Sequence, residues 1–479
     1  MSEIEARLAE LERLGLGRRL RLLSGPQGPT VLLDGKPVML LCSNNYLGLA
    51  DHPRLREAAA EAAMRWGVGA GASRLVSGTM TIHRRLEERL AAFHHSEAAL
   101  LFGSGYLANI GVIGALAGRG DVIFSDQLNH ASIVDGCRLS RAEVVVYRHR
   151  DVEHLHWCLY HHGRGDGGAR RLIVTDSVFS MDGDVAPLAE IVELAGAAGA
   201  QVLVDEAHAI GSLGPGGRGV LAHEGLEGEV DAVVGTLGKS LGSYGAYVCA
   251  GEEMIRYLVN TARSLIFSTA PGPPAIAGAL AALELVQERP HRVERLRSNA
   301  RVLRRALAEE GFPVAEGEMQ IVPLIVGDER EAMSLCQAAL QDGIFAQGIR
   351  PPTVPAGTSR LRLTAMASHT ASELRAAARV FGEAARALGL EPSEMGPPLA
   401  PASEPGEPIV DELPAFVTRS ATAGAEPRAA GVPFDGELQE TGGELQETVS
   451  AQRAGEPVAQ TRTEGPFDFE RDLAPARAA

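Results

Sequence analysis

The sequence predicts an α/β protein: a large, mostly parallel seven-stranded sheet covered by helices, then a smaller α+β unit, then a polar tail. Three observations carry this. Between residues 53 and 270, seven short apolar runs alternate with segments of helical period, the pattern of strands linked by crossover helices. Two of those runs end in polar groups. Residues 202–205 lead into Glu206-Ala207-His208, and residues 233–236 lead into Leu237-Gly238-Lys239-Ser240. The carboxyl ends of strands are where open α/β sheets keep their ligands. Beyond Leu390 the texture changes to Pro, Gly, Glu, Ala and Ser with no persistent apolar face.

Residues 1–52 read as an arm. An amino-terminal helix with leucines at helical spacing precedes the basic stretch Gly17-Arg18-Arg19-Leu20-Arg21. Two short strands, 30–33 and 38–41, then join at the turn Asp34-Gly35. Residues 53–270 form the large domain, with strands expected at 98–102, 122–125, 144–147, 172–175, 202–205, 233–236 and 246–250. In 271–390, two long helices lead to a strand near 321–325, a helix from Glu329, a strand near 361–364 and a last helix from Ser372. Residues 391–479 are expected to be disordered, because such composition cannot bury enough apolar surface to offset ordering entropy. That segment repeats Gly-Glu-Leu-Gln-Glu-Thr at 436–441 and 443–448; a partner-binding tail is the alternative.

The 479 residues carry a formal charge of −16. Residues 391–479 hold 17 acidic and 6 basic groups, a net −11, which leaves −5 on the first 390. This balance argues against a nucleic-acid surface. Five cysteines, Cys42, Cys137, Cys158, Cys249 and Cys336, are widely spaced and read as free thiols in a reducing compartment. The acidic amino terminus is unlike a signal peptide, and no apolar run approaches the roughly 18 residues that span a bilayer. A cytoplasmic protein is expected, without a membrane partner.

Lys239, framed by Gly235, Gly238 and Gly242, is expected on a cramped loop where backbone approaches a ligand closely. A desolvated lysine near an acid and an imidazole suits Schiff-base chemistry, since the amine must be neutral to attack a carbonyl. This points to pyridoxal phosphate. Gly103-Ser104-Gly105-Tyr106 follows a strand and opens a helix, whose first amides can cradle a phosphate; an ordinary turn capped by Ser104 is the plainer reading. His130, after another strand, can stack on a pyridine ring or simply cap a helix. Asp205, at a buried strand end, can keep a pyridine nitrogen protonated, His208 can reach the phenolic oxygen, and Thr236 suits a phosphate contact.

Other readings compete for the same residues. A P-loop needs glycine six positions before the lysine, where Val233 stands. Residues 238–242 match the G-x-S-x-G nucleophile elbow, with His369 far downstream, so a serine α/β-hydrolase using Ser240 is the second hypothesis. No oxyanion segment of the HGGG type accompanies it. His149, His154, His156, His161 and His162 look like a metal cluster, but no pair is joined to a carboxylate as in a zinc helix. The Gly-rich stretch 163–168 suggests a surface loop, and no metal is expected.

With Ser43-Asn44-Asn45-Tyr46-Leu47-Gly48-Leu49, Gly69-Ala70-Gly71-Ala72-Ser73-Arg74, Asp182-Gly183-Asp184, Asp205-Glu206-Ala207-His208 and residues 235–239 in hand, the chain resembles the α-oxoamine synthases. These are fold-type I pyridoxal-phosphate transferases that condense an amino acid with an acyl thioester and release carbon dioxide. The likeness runs from about Leu16 to Leu390. Around residues 349–358 and 360–364 it is closest to the branch that joins L-alanine to a pimeloyl thioester; glycine acetyltransferases and other α-oxoamine synthases are the alternatives.

The resemblance implies that Lys239 bonds the cofactor, Asp205 holds its ring nitrogen, His208 contacts the phenolic oxygen and His130 stacks on the ring. Gly105, Tyr106, Ser180 and Thr236 would hold the cofactor, and Ser268 and Thr269 would reach a phosphate across a homodimer interface. Asn44 and Arg362 would receive the amino-acid carboxylate. Arg18 and Thr353 would line the acyl side, with Arg19 and Arg21 competing for the place of Arg18. The thioester is carried by coenzyme A or by an acyl carrier protein.

Overall fold

Seven strands build the central sheet of the computed structural model, which describes residues 2–13, 16–162 and 168–396. They are β1 (Ala98–Phe102), β2 (Val122–Asp126), β3 (Glu143–Tyr147), β4 (Arg171–Asp176), β5 (Gln201–Asp205), β6 (Ala232–Thr236) and β7 (Ala246–Ala250). Their order is β1-β7-β6-β5-β4-β2-β3. The expected seven strands are all present, each within about a residue of its expected bounds. Only β7 runs against its neighbours, pairing antiparallel with both β1 and β6. Phe102 and Thr236 therefore both lie opposite Ala246, and β1 points the same way as β6. This brings the carboxyl ends of β1, β2, β4, β5 and β6 to one edge.

Alternation along the strands sends side chains into two cores. Ala99 and Leu101 join Leu86, Leu90, Leu155, Ile191 and Ile276 on one face. Leu100 and Phe102 join Val112, Ile133, Cys137 and Leu258 on the other. Burying each such leucine contributes roughly 1.5–3 kcal/mol. Both faces of the sheet are covered, which is why its strands read as continuous apolar runs.

Beyond the large sheet, Ile321–Gly327, Ser359–Thr364 and Gln347–Ile349 form a three-stranded antiparallel sheet. Helices His291–Glu309, Glu329–Gln341 and Ala371–Ala387 pack with it around Leu303, Leu335, Leu361 and Phe381. The amino-terminal strands Thr30–Leu33 and Lys36–Leu40 form as expected, with a further short strand, Leu23–Ser24, on their edge. Unexpectedly, Ile344–Phe345 joins them as a parallel fourth strand, so the arm shares a sheet with a segment from the 271–390 stretch. The helix Glu3–Arg13 also forms, with Ile4 and Leu8 exposed.

The expected end of the ordered chain at Leu390 is too early. Residues 392–394 make a short 3₁₀ turn in which Pro392 is buried, and Met395 is buried in the same core as Phe381. Apolar side chains interrupting a Pro- and Glu-rich stretch are enough to hold it. The rest of the expected tail, 397–479, and most of the expected 163–168 loop lie outside the described residues. Among the described residues, no helix is long and apolar enough to cross a membrane.

Candidate active site

The strand ends converge on Lys239. Its Nζ lies 2.8 Å from Nε2 of His208, whose Nδ1 lies 2.7 Å from the Tyr46 hydroxyl. Tyr46 is fully buried and donates to Asn44 Oδ1 at 3.0 Å. Arg362 donates to the Tyr46 oxygen at 3.2 Å, to Asn44 Oδ1 at 3.1 Å, and to the Ser180 carbonyl. One network thus joins Lys239, His208, Asn44, Arg362 and Ser180. Burial holds the lysine well below its ordinary value, at about 8, although Asp205 and Asp176 pull the other way. Burial, with the nearby Lys239 and Arg362 charges, also keeps His208 neutral by pushing it well below the usual imidazole range.

Asp205 ends β5, buried. Its carboxylate accepts from Asn109 Nδ2 at 2.7 Å and from the amide of Ala207 at 2.8 Å. Among the described residues its carboxylate forms no ion pair, and its partners are these hydrogen-bond donors. Glu206 faces elsewhere: it accepts the amides of Val220 and Leu221 at 3.0 and 2.8 Å and caps the short helix Val220–Glu224. Burial lifts it to about 7.

His130 caps the helix Ala131–Ser140, its Nδ1 accepting from the amide of Ser132, and its exposed ring stands after β2. Its own amide donates to Asp176 Oδ2 at 2.7 Å. Ser104 caps the helix Gly105–Leu116 as the plainer reading had it. That helix starts at Gly105 beside the half-exposed Tyr106, which donates to Asp135. The Thr236 hydroxyl donates to the Gly245 carbonyl at 3.2 Å and accepts the Gly238 amide. Ser268 and the exposed Thr269 lie apart from this network, tied to the 68–76 loop by the Ser73–Thr269 bridge. Thr353 is exposed; on the same side, Arg350 donates to the carbonyl of Gly17, next to Arg18, at 2.6 Å.

Two expectations need correction. The glycines framing Lys239 serve protein contacts. A side chain at Gly235 would meet the Tyr247 ring at 2.3 Å, one at Gly242 the Ala50 amide at 2.5 Å, while Gly238 has ordinary space. The hydrolase pair is not assembled either. Ser240 Oγ is buried without a partner, while His369 accepts the Met366 amide and faces the Leu40 carbonyl at 3.1 Å. A histidine with both ring nitrogens on backbone groups cannot serve a serine as base. In the histidine-rich segment, ring nitrogens go to protein partners: His149 to Asp126 and Asp184, His154 to the Arg148 amide, His161 to the Trp157 carbonyl and His162 to Glu143.

The sequence reading missed Tyr46, Asn109, Asp176 and Gln320. Asp176 ends β4 opposite Asp205, and burial beside that carboxylate pushes it well above the usual carboxylate range. A polar residue ending an apolar run was available as a signal for Asp176. Gln320, which donates to the His208 carbonyl at 2.7 Å, offered none.

The model of the aminotransferase class I and II family matches residues 36–381. An 8-amino-7-oxononanoate synthase of Geobacter sulfurreducens is 53% identical over 389 residues, covering 81% of this chain and 99% of that protein. One of Symbiobacterium thermophilum is 48% identical over 381 residues, 79% and 96% of the two chains. Among solved structures, serine palmitoyltransferase from S. paucimobilis, with pyridoxal phosphate and myriocin bound, superposes with a TM-score of 0.76 at 36% identity, covering 81% of this chain and 98% of that one. The 8-amino-7-oxononanoate synthase of Francisella tularensis gives 0.63 at 25% identity, covering 74% and 99%. The chain belongs to the aminotransferase class I and II family.

Proposed function

We propose that this protein is a pyridoxal-phosphate enzyme that condenses L-alanine with a pimeloyl thioester, giving 8-amino-7-oxononanoate, the free thiol and carbon dioxide, a step of biotin synthesis. The observation that carries the reading is the buried pair of Lys239, its amine lowered to about 8, and Asp205, a carboxylate without a paired cation, on one sheet edge. These residues fit the cofactor: the amine can bond its aldehyde, and Asp205 can accept its protonated ring nitrogen. When bound, pyridoxal phosphate supplies an electron sink for charge developing at the amino-acid Cα.

The chain's residues do the rest. Arg362 and Asn44 would bind the amino-acid carboxylate, and His130 and His208 would hold the cofactor ring. The Lys239 amine would take the Cα proton and return one, a task suited to an amine lowered to about 8. Gly105, Tyr106, Ser180 and Thr236 would hold the cofactor, and Arg18 and Thr353 would line the acyl side. The 53–270 stretch is the cofactor domain, flanked by the 1–52 arm and the 271–390 domain. A second copy supplies Ser268 and Thr269: exposed Val68, Leu75, Val76 and Phe267 lie beside the Ser73–Thr269 bridge and offer an apolar face for it.

A panel of amino acids against acyl thioesters on coenzyme A and on acyl carrier protein, read by thiol release, tests this. L-alanine with a pimeloyl donor should give the highest kcat/KM. Preference for glycine with a short acyl donor would place the protein in another branch.

A further inference from the structure

His149 sits where no role in the proposed chemistry puts it. Its Nδ1 lies 2.9 Å from Asp126 Oδ1 and its Nε2 lies 2.9 Å from Asp184 Oδ2. Carboxylate oxygens accept only, so both ring nitrogens carry hydrogen and the ring is an imidazolium between two anions.

Each anion holds a different piece of the site. Asp126 ends β2 and accepts the amides of Leu128 and Arg150, fixing the turn that presents His130. Asp184 closes a tight hairpin: its carbonyl accepts the Phe179 amide, Val178 bridges Val185, and the Phe179 ring meets the His149 ring edge-on at 4.4 Å. Gly183, at φ 69°, lets this hairpin press on the strand at Ile321, where an added Cβ would meet the carbonyl at 2.5 Å. From the hairpin, Asp182 pairs with Arg360, and the Ser180 carbonyl accepts from Arg362.

We propose that His149 is a positioning residue: an imidazolium clamp between Asp126 and Asp184 that sets the spacing between His130 and the Arg362 guanidinium. The inference rests on the proposed roles of those two residues. It predicts that loss of the clamp weakens amino-acid binding more than acyl-donor binding, because the hairpin touches Arg362 directly through the Ser180 carbonyl.

The groups facing His149 are Asp126, Asp184 and Arg150, with Asp176 and Tyr147 next to Asp126. Hydrogen bonds to the two carboxylates raise it to about 9 against the opposing effect of burial. A raised value means the clamp's stability is fully present below pH 6.5 and is lost as pH rises through about 9.

The test compares wild type with His149→Gln, loaded with pyridoxal phosphate. The Kd for L-alanine, read from the cofactor's spectrum, should rise at least about tenfold, with the thioester KM within about twofold. The melting temperature of wild type should drop between pH 6.5 and 9.5 by more than that of the variant. If His149→Gln does not fold, Asp184→Ala, which cuts one arm of the clamp, should give the same alanine-specific loss. An unchanged alanine Kd, or equal losses on both substrates in proportion to unfolded protein, overturns the proposal. Because neither the melting nor the alanine titration needs turnover, a wild type that binds alanine and shows the pH difference, yet condenses nothing, would sink the proposed reaction and leave the clamp standing.

Discussion

The amine of Lys239 and Nε2 of His208 lie 2.8 Å apart; burial weakens the proton affinity of both, and the lysine's charge depresses the imidazole further. An unliganded lysine in this place opposes folding. Its folded value, about 8, lies below the unfolded 10.5, so between those values the unfolded chain holds a proton that the native state does not. Stability therefore rises with pH across that window. The cofactor-free Lys239→Met variant should be more stable than cofactor-free wild type at pH 7 by about 3 kcal/mol, the gap closing towards pH 10.5. Denaturant melts at several pH values measure it, and a variant less stable at pH 7 would contradict the assignment.

Tyr46 offers one oxygen to three partners: His208, Asn44 and Arg362. Tyr46→Phe keeps the ring in the core and removes that oxygen. We expect kcat/KM for L-alanine to fall by about tenfold or more, the range of a buried polar group left unpaired. Steady-state kinetics on the variant decide it; a change below twofold would mean the three groups hold their places unaided.

Asp205→Ala should lower turnover by at least about a hundredfold, roughly 2.7 kcal/mol of barrier, because the ring nitrogen loses the anion that keeps it protonated. Ser240→Ala, by contrast, should turn over at the wild-type rate, and a fluorophosphonate should leave the wild type unlabelled. The two variants assayed side by side separate a cofactor site from a serine site.

The large sheet was legible because each of its strands is an apolar run bounded by a helix-period segment, and the residues ending those runs, Asp205 and Thr236 with Lys239 just beyond, stood out on chemistry. The strands Leu23–Ser24, Ile344–Phe345 and Gln347–Ile349 are too short to show any period. Tyr46 was quoted only as part of a motif, since its partners His208 and Arg362 lie 162 and 316 residues away and no local pattern announces such contacts. Pro392 and Met395 were lost in a composition that reads as polar tail.

That last miss has a measurable consequence. A chain cut after Gly396 keeps Pro392 and Met395 in the core, whereas one cut after Leu390 removes both. The shorter chain should be less stable by about 2–3 kcal/mol, the worth of a buried Met side chain plus part of a proline. Matching melting temperatures for the two truncations would show that the 391–396 segment contributes no packing energy.

The central claim is that Lys239 bonds the cofactor, and the chain makes it unusually easy to test, because its only lysines are Lys36 and Lys239. Protein loaded with pyridoxal phosphate, reduced with borohydride and mapped by peptide mass should carry one pyridoxyl group, on Lys239. An adduct on Lys36, which is exposed on a strand of the amino-terminal sheet, or no adduct on either lysine, would contradict the account.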